Sequence, residues 1–173
     1  PQRARAHALA VALRCRRSDP GVHRSEVQAG AFLLAARAWS NLARPQRALA
    51  FLERARRQAD AAGQRSLEAE ALARTGRVLI DLGREREAEA VLREAHLVTQ
   101  EIGIGAGEVL ARLFLGTLLA EQGSPEGPRL VGRSLERATQ LALPRLEAMA
   151  RALQARVDLA AGALDHADQQ SAQ

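Results

Sequence analysis

The sequence predicts an all-α protein, a solenoid of antiparallel helix pairs, and three observations carry that prediction. A glycine closes a helical pattern at Gly83, Gly123 and Gly162, with Ala43 in the same place one repeat earlier, so a segment of about forty residues recurs. A small residue follows five positions later at Ala48, Ala88 and Ala167, opening the next helix each time. The composition is 47% hydrophobic and only 2% aromatic. It is rich in Ala and Leu, without runs of Val, Ile or Thr, which favours helix over strand. A fixed period of this length signals stacked supersecondary units in place of one globular core.

The elements follow in order. Residues 24–43 form a helix, because Val27, Ala31, Leu34, Ala35, Ala38 and Leu42 recur at three- and four-residue spacing. Pro45 suits the first turn of the next helix, where a missing N–H costs nothing. Leu49, Phe51, Leu52 and Ala55 carry its apolar stripe, and Ala62-Gly63 ends it. The second unit repeats the plan, with one helix over 67–82, a cap at Gly83 and a helix over 85–102. The glycine-rich stretch 103–107 is a turn. The third unit has a helix over 107–122, a cap at Gly123 and a helix from about 129 to 143. Between them Gly123-Ser124-Pro125-Glu126-Gly127-Pro128 is expected as an ordered wide loop, three residues longer than its counterparts. Pro144 opens a fourth unit, whose first helix should end at Ala161-Gly162.

Shifting residues 48–55 back by forty sets Ala8, Leu9 and Cys15 on Ala48, Leu49 and Ala55, so residues 1–20 read as a half repeat. The expected organisation is one array over 1–173. It comprises the half repeat at 1–20, units at 24–63, 64–103 and 104–143, and a truncated fourth at 144–173. Neither end supplies the polar capping face that terminal repeats need, so the chain is expected to be a piece of a longer protein.

The small-residue columns resemble the tetratricopeptide repeat in its longer, forty-residue variety. Ala36, Gly76, Gly116 and Ala155 stand midway along the first helices. Ala48, Ala88 and Ala167, then Ala55, Ala95 and Ala138, supply two columns on the second helices, with Leu52, Leu92 and Leu135 between them. The closing proline of that family is absent, since Asp60 and Gln100 occupy its place. Arg112 and Arg151 stand where a large apolar residue is usual, and Asp158 shares a column with Trp39, Leu79 and Leu119. The resemblance covers essentially the whole chain. It implies a right-handed superhelix whose first helices line a concave groove. It also implies a bacterial protein–protein interaction module beside a signalling ATPase, a transcription activator or a kinase.

Within that register Arg37, Arg77 and Arg156 recur on the first helices, with Thr117 completing the series. The resemblance places this column among the positions that contact a bound peptide. Guanidinium forks suit bidentate capture of carboxylate or phosphate, so an acidic protein or peptide is the expected partner. Leu33, Leu110, Leu113 and Met149 are the expected apolar pockets. Two other functions fit the same residues: a sensor of a small anionic ligand, and self-association through the open ends.

Other chemistry finds little support. His7, His23, His96 and His166 are isolated and lack a Cys partner at ligand spacing, so no metal or cofactor is expected. Cys15 has arginines at 14, 16 and 17 yet sits in a packing column. Gly103–Gly107 lacks the preceding strand and the Lys-Ser/Thr pair of a phosphate loop. With no nucleophile–base pair, an enzyme is not expected. All 25 basic residues are Arg, and the formal net charge is +5. Residues 1–65 hold 13 Arg against 4 acids, and residues 66–173 hold 12 against 16. The few aromatics do not cluster among the arginines, which disfavours nucleic acid. The single cysteine excludes an internal disulfide, and no stretch of about 18 apolar residues is free of charge, so a cytoplasmic, non-membrane protein is expected.

Overall fold

The structure, a computed structural model, describes residues 22–102 and 105–171, with side chains over 24–101 and 105–160. The expected half repeat at 1–20 lies outside the described residues, as does Cys15. The described residues form seven α-helices and no strand: α1 (Val22–Asn41), α2 (Pro45–Ala61), α3 (Arg65–Asp81), α4 (Glu85–Ile102), α5 (Ala106–Glu121), α6 (Glu126–Gln140) and α7 (Pro144–Ser171). The all-α expectation holds, and neighbours in sequence pack as pairs: α1 on α2, α2 on α3, α3 on α4, and α6 on α7, while α1 also touches α3. The chain divides into two compact units, Pro1–Ala111 and Arg112–Gln173.

One turn geometry serves five of the six connections. The N–H of Arg44, Gln64, Arg84, Ser124 and Leu143 donates back to the carbonyl of Trp39, Ala59, Leu79, Leu119 and Ala138, at 2.8–3.0 Å. The residue before each donor is left-handed: Ala43 at φ 52°, Gly63 at 64°, Gly83 at 70°, Gly123 at 77° and Ala142 at 51°. This is the Schellman closure, which satisfies carbonyls that a helix end would leave without donors. The glycines read from the sequence as caps therefore hold a conformation that a Cβ opposes, and Ala43 and Ala142 hold it despite theirs.

In the first unit the core joins Leu33, Ala36 and Trp39 of α1, Ala48, Leu52 and Ala55 of α2, and Ala71 and Val78 of α3. Phe32 and Phe51 meet at its margin with ring centroids 6.1 Å apart. Small residues let helices come close. A Cβ on Gly76 of α3 would run into Leu92 of α4, and one on Gly107 would stand 2.9 Å from the backbone N of Glu70. The glycine-rich entry to α5 thus has a packing role.

In the second unit Leu113, Val131, Ala150 and Val157 form the centre, with Ala120, Leu135, Met149 and Leu153 around it. Two expectations are corrected here. The segment 123–128 is no wide loop: α6 begins at Glu126, with Pro125 as its N-cap and Gly127 and Pro128 in its first turn. Proline is tolerated there because first-turn N–H groups have no helical acceptor. Gly127 is required because a Cβ on it would stand 2.6 Å from the Cα of Ala120. The buried face of α6 is Gly127, Val131, Ser134 and Ala138, with Leu130 beside it. The buried face of α2 is Ala48, Leu52, Ala55 and Ala59. Each residue of the first series follows its counterpart in the second by the same interval, so Ala138 belongs with Ala59, Ser134 with Ala55, and Val131, in place of Leu135, with Leu52. The connection 122–125 has four residues against three at 82–84, one longer where the sequence suggested three.

The second correction concerns the fourth unit. α7 runs unbroken from Pro144 to Ser171, past the expected end at Gly162. A lone glycine weakens a helix by about 1 kcal/mol without ending it.

Candidate partner-binding surface

The first helices carry the residues singled out from the sequence, and the structure separates them into two groups. Arg37 on α1 and Arg77 on α3 are partly exposed in the first unit, at equivalent register on two helices that touch. Arg77 holds Asp81 one turn on, with Nη2 at 2.9 Å from Oδ1, as the i, i+4 spacing suggested. In the second unit Arg156 of α7 is exposed and reaches Glu121 at the end of α5, 2.6 Å away.

The remaining residues do not line a surface. Thr117 is buried, and its hydroxyl donates to the carbonyl of Leu113 at 2.7 Å, so it completes no row of binding groups. Leu33, Leu110 and Leu113 are buried as well, Leu33 in the α1–α2–α3 core and Leu113 in the centre of the second unit. These three are packing residues and not pockets. Met149 is half-buried against the second cluster. The physical reason is common to all four. The faces that meet neighbouring helices occupy most of the circumference of a first helix, so an apolar residue on it falls into an interface more readily than into a groove.

Two features escaped sequence reasoning. Glu68 and Glu108 are buried at equivalent places in the first turns of α3 and α5, and Glu147 repeats the position on α7. The signal was there as acids at near-forty spacing, in the turn where the helix dipole favours negative charge. Arg65 spans Glu68 at 2.7 Å and Glu101 at 3.0 Å, tying the start of α3 to the end of α4. Its guanidinium is held further toward the charged form, first by the hydrogen bond to Glu101 and next by the charge of Glu68. The second feature is a row on α2. The guanidinium of Arg47 lies 4.7 Å from the Trp39 ring centroid and that of Arg54 lies 5.5 Å from the Phe51 centroid. Such stacking holds the cations in place while their outer edges stay wet.

Among the described residues, no three His, Cys, Asp or Glu side chains converge to hold a metal ion, and no helix is long and apolar enough to cross a membrane. Neither the protein-family models nor the curated proteins include a match to this chain.

Proposed function

We propose that this chain is a tetratricopeptide-like array, wound as a right-handed solenoid, that binds an acidic peptide or helix along its first helices. In this reading it works in the cytoplasm as an interaction module of a larger regulatory protein and makes no bonds. The observation that carries it is the pair Arg37 and Arg77, set at one register on touching helices and partly open to solvent. The ion pair of Arg77 with Asp81 is a surface pair worth a few tenths of a kcal/mol, so an incoming carboxylate can replace it. Two planar forks, one on each of the touching helices, suit carboxylates with defined geometry. Arg156 with Glu121 offers a similar exchangeable pair in the second unit.

The test is selection of ligands from a displayed library of short acidic peptides, followed by fluorescence anisotropy with the chain and with Arg37→Glu/Arg77→Glu. Circular dichroism must first show equal helicity. A loss of about tenfold or more in affinity is expected, as for anchors within an interface. Equal binding by the variant, or no selected peptide, overturns the assignment. Displacement of the peptide by free citrate with equal affinity would point to the small-anion sensor instead.

A further inference from the structure

The outer side of α2 is a row of arginines. Arg44, just before the helix, and Arg47, Arg54 and Arg57 within it are all exposed. At about 3.6 residues per turn they share one stripe, clear of the buried Ala48, Leu52, Ala55 and Ala59. At about 1.5 Å per residue the stripe is roughly 20 Å long. The acids of the helix, Glu53 and Asp60, fall roughly a third of a turn from its middle. Glu53 is already held, by Arg57 at 2.9 Å and by Arg56 at 3.6 Å.

The repeat does not require this row. At the same register α4 carries Arg84, Glu87, Glu94 and Leu97, and α6 carries Gly123, Glu126, Arg133 and Glu136. On α4 the cations also find acids beside them, Arg84 on Glu87 and Arg93 on Glu89. Arg44, Arg47 and Arg54 have no carboxylate within ion-pair reach among the described residues. Two of them rest on rings instead, Arg47 at 4.7 Å from the Trp39 centroid and Arg54 at 5.5 Å from that of Phe51. Of one Trp and three Phe in the chain, two therefore lie under arginines, a clustering that the sequence did not disclose.

What such a row fits follows from what surrounds it. α2 exposes no large apolar side chain. A protein interface draws its affinity from buried aromatic and apolar anchors, and charges at its rim add little. A helix that lies in a bilayer surface needs a free apolar face, and that of α2 is in the core. Trp39 is buried and Phe51 half-buried, so neither offers a ring face to an unpaired base. Phosphates ask for none of these, because guanidinium forks alone capture them. A nucleic-acid duplex presents such charges in a line, about one per 1.7 Å of its axis. The rings beneath Arg47 and Arg54 hold the two cations in place, so less side-chain freedom is lost on binding.

We infer that the stripe of Arg44, Arg47, Arg54 and Arg57 on α2 binds the phosphate backbone of double-stranded nucleic acid. The contact is with phosphate and carries no sequence information of its own. It is independent of the peptide-binding role of Arg37 and Arg77, which stand on other helices.

The experiment uses the full chain and a fluorescent DNA duplex of about twenty base pairs, read by anisotropy from about 50 to 200 mM salt. The logarithm of the affinity should fall linearly with the logarithm of salt. Arg44→Gln/Arg47→Gln/Arg54→Gln should reduce that slope by about 3 and weaken binding at low salt at least about tenfold. Arg44→Gln alone, which disturbs no ring contact, should reduce the slope by about 1 and keeps the test valid if the triple variant loses helicity. Arg84→Gln/Arg86→Gln/Arg93→Gln removes as much charge from α4 and should leave the slope unchanged. A slope indifferent to the α2 substitutions overturns the inference, as does an equal drop in the α4 variant, which would mean that net charge alone is felt. Absence of binding at the lowest salt overturns it too. So does tighter binding to polyglutamate or to phosphatidylserine vesicles than to the duplex, which would give the stripe to an acidic protein or a membrane.

Discussion

Leu92 of α4 occupies the space that a side chain on Gly76 of α3 would need: a Cβ built there would stand 2.6 Å from Leu92 Cδ2. Leu92 is fully buried, so it has no room to retreat. Gly76→Ala gains about 1 kcal/mol of helix propensity yet overpacks the pair by about 1–3 kcal/mol, and a net loss is expected in urea unfolding. Leu92→Ala should cost about 2–5 kcal/mol by leaving a cavity. The double variant should lose less than the sum, because the new methyl fills part of that cavity. Gly30 of α1, with nothing within 4 Å of its added Cβ, should behave oppositely: Gly30→Ala is expected to stabilise by about 0.8–1 kcal/mol. Additive losses at 76 and 92 would show that their contact carries no coupling.

Ala43 and Ala142 hold left-handed backbone at φ 52° and 51°, where the three comparable turns have glycine. An L-residue other than glycine gives up roughly 1–2 kcal/mol in this conformation, part of which glycine loses again through its freer unfolded chain. Ala43→Gly and Ala142→Gly should therefore each raise stability by about 0.5–1 kcal/mol. Gly63→Ala, Gly83→Ala and Gly123→Ala should lower it by about as much. Melting temperatures of the five variants decide the matter. A rise in the last three would mean that the turns are not held as described.

These turns also explain how much of the molecule could be read from its sequence. Period, caps and helix type were legible because each rests on local chemistry: a left-handed cap at forty-residue intervals, small residues at fixed offsets, and apolar stripes at helical spacing. The start of α6 was not. Gly and Pro at 125–128 signal a loop when read locally, whereas Gly127 serves as the small residue that lets α6 lie on Ala120, a requirement set by packing against the preceding helix across the turn. For the candidate surface the exposure of the arginines was legible and the burial of the apolar residues was not. Arg37 and Arg77 reach solvent because a guanidinium is costly to bury, while Leu33, Leu110, Leu113 and Thr117 are drawn into interfaces that sequence register alone does not distinguish from a groove.

Just before α4, Arg84 grips Glu87 of its first turn through two hydrogen bonds of 2.7 and 2.6 Å. The hydrogen bonding from Arg84 holds the Glu87 carboxyl below its usual range, partial desolvation opposes this, and the charge of Arg84 adds to it. Between the folded and unfolded values the unfolded chain binds more protons, so stability rises with pH across that window. The contribution is fully present above the ordinary glutamate value of about 4.3 and fades as pH falls through the lower folded value. Carboxyl-carbon NMR should place the Glu87 midpoint below that of an unpaired glutamate, and Arg84→Gln should move it up. A midpoint unchanged by Arg84→Gln would show that the pair does not persist in solution.

α6 contains a second glycine whose surroundings differ from those of Gly127. The side-chain carbonyl of Gln154 on α7 is buried and accepts no hydrogen bond, while its amide donates to Asp158 at 2.7 Å. That carbonyl oxygen is the nearest atom to a Cβ built on Gly132, at 3.9 Å, so a small side chain fits there without collision. Gly132→Ala should gain roughly 0.8–1 kcal/mol from helix propensity alone. Gly132→Ser places a hydroxyl within reach of the unsatisfied oxygen, and a buried acceptor that gains its donor recovers about 1 kcal/mol or more. Serine is the poorer helix former, so a serine variant at least as stable as the alanine variant would reveal the new bond. In a Gln154→Leu background the acceptor is gone, and alanine should then be the better of the two. Serine trailing alanine equally in both backgrounds would mean that the hydroxyl does not reach Gln154.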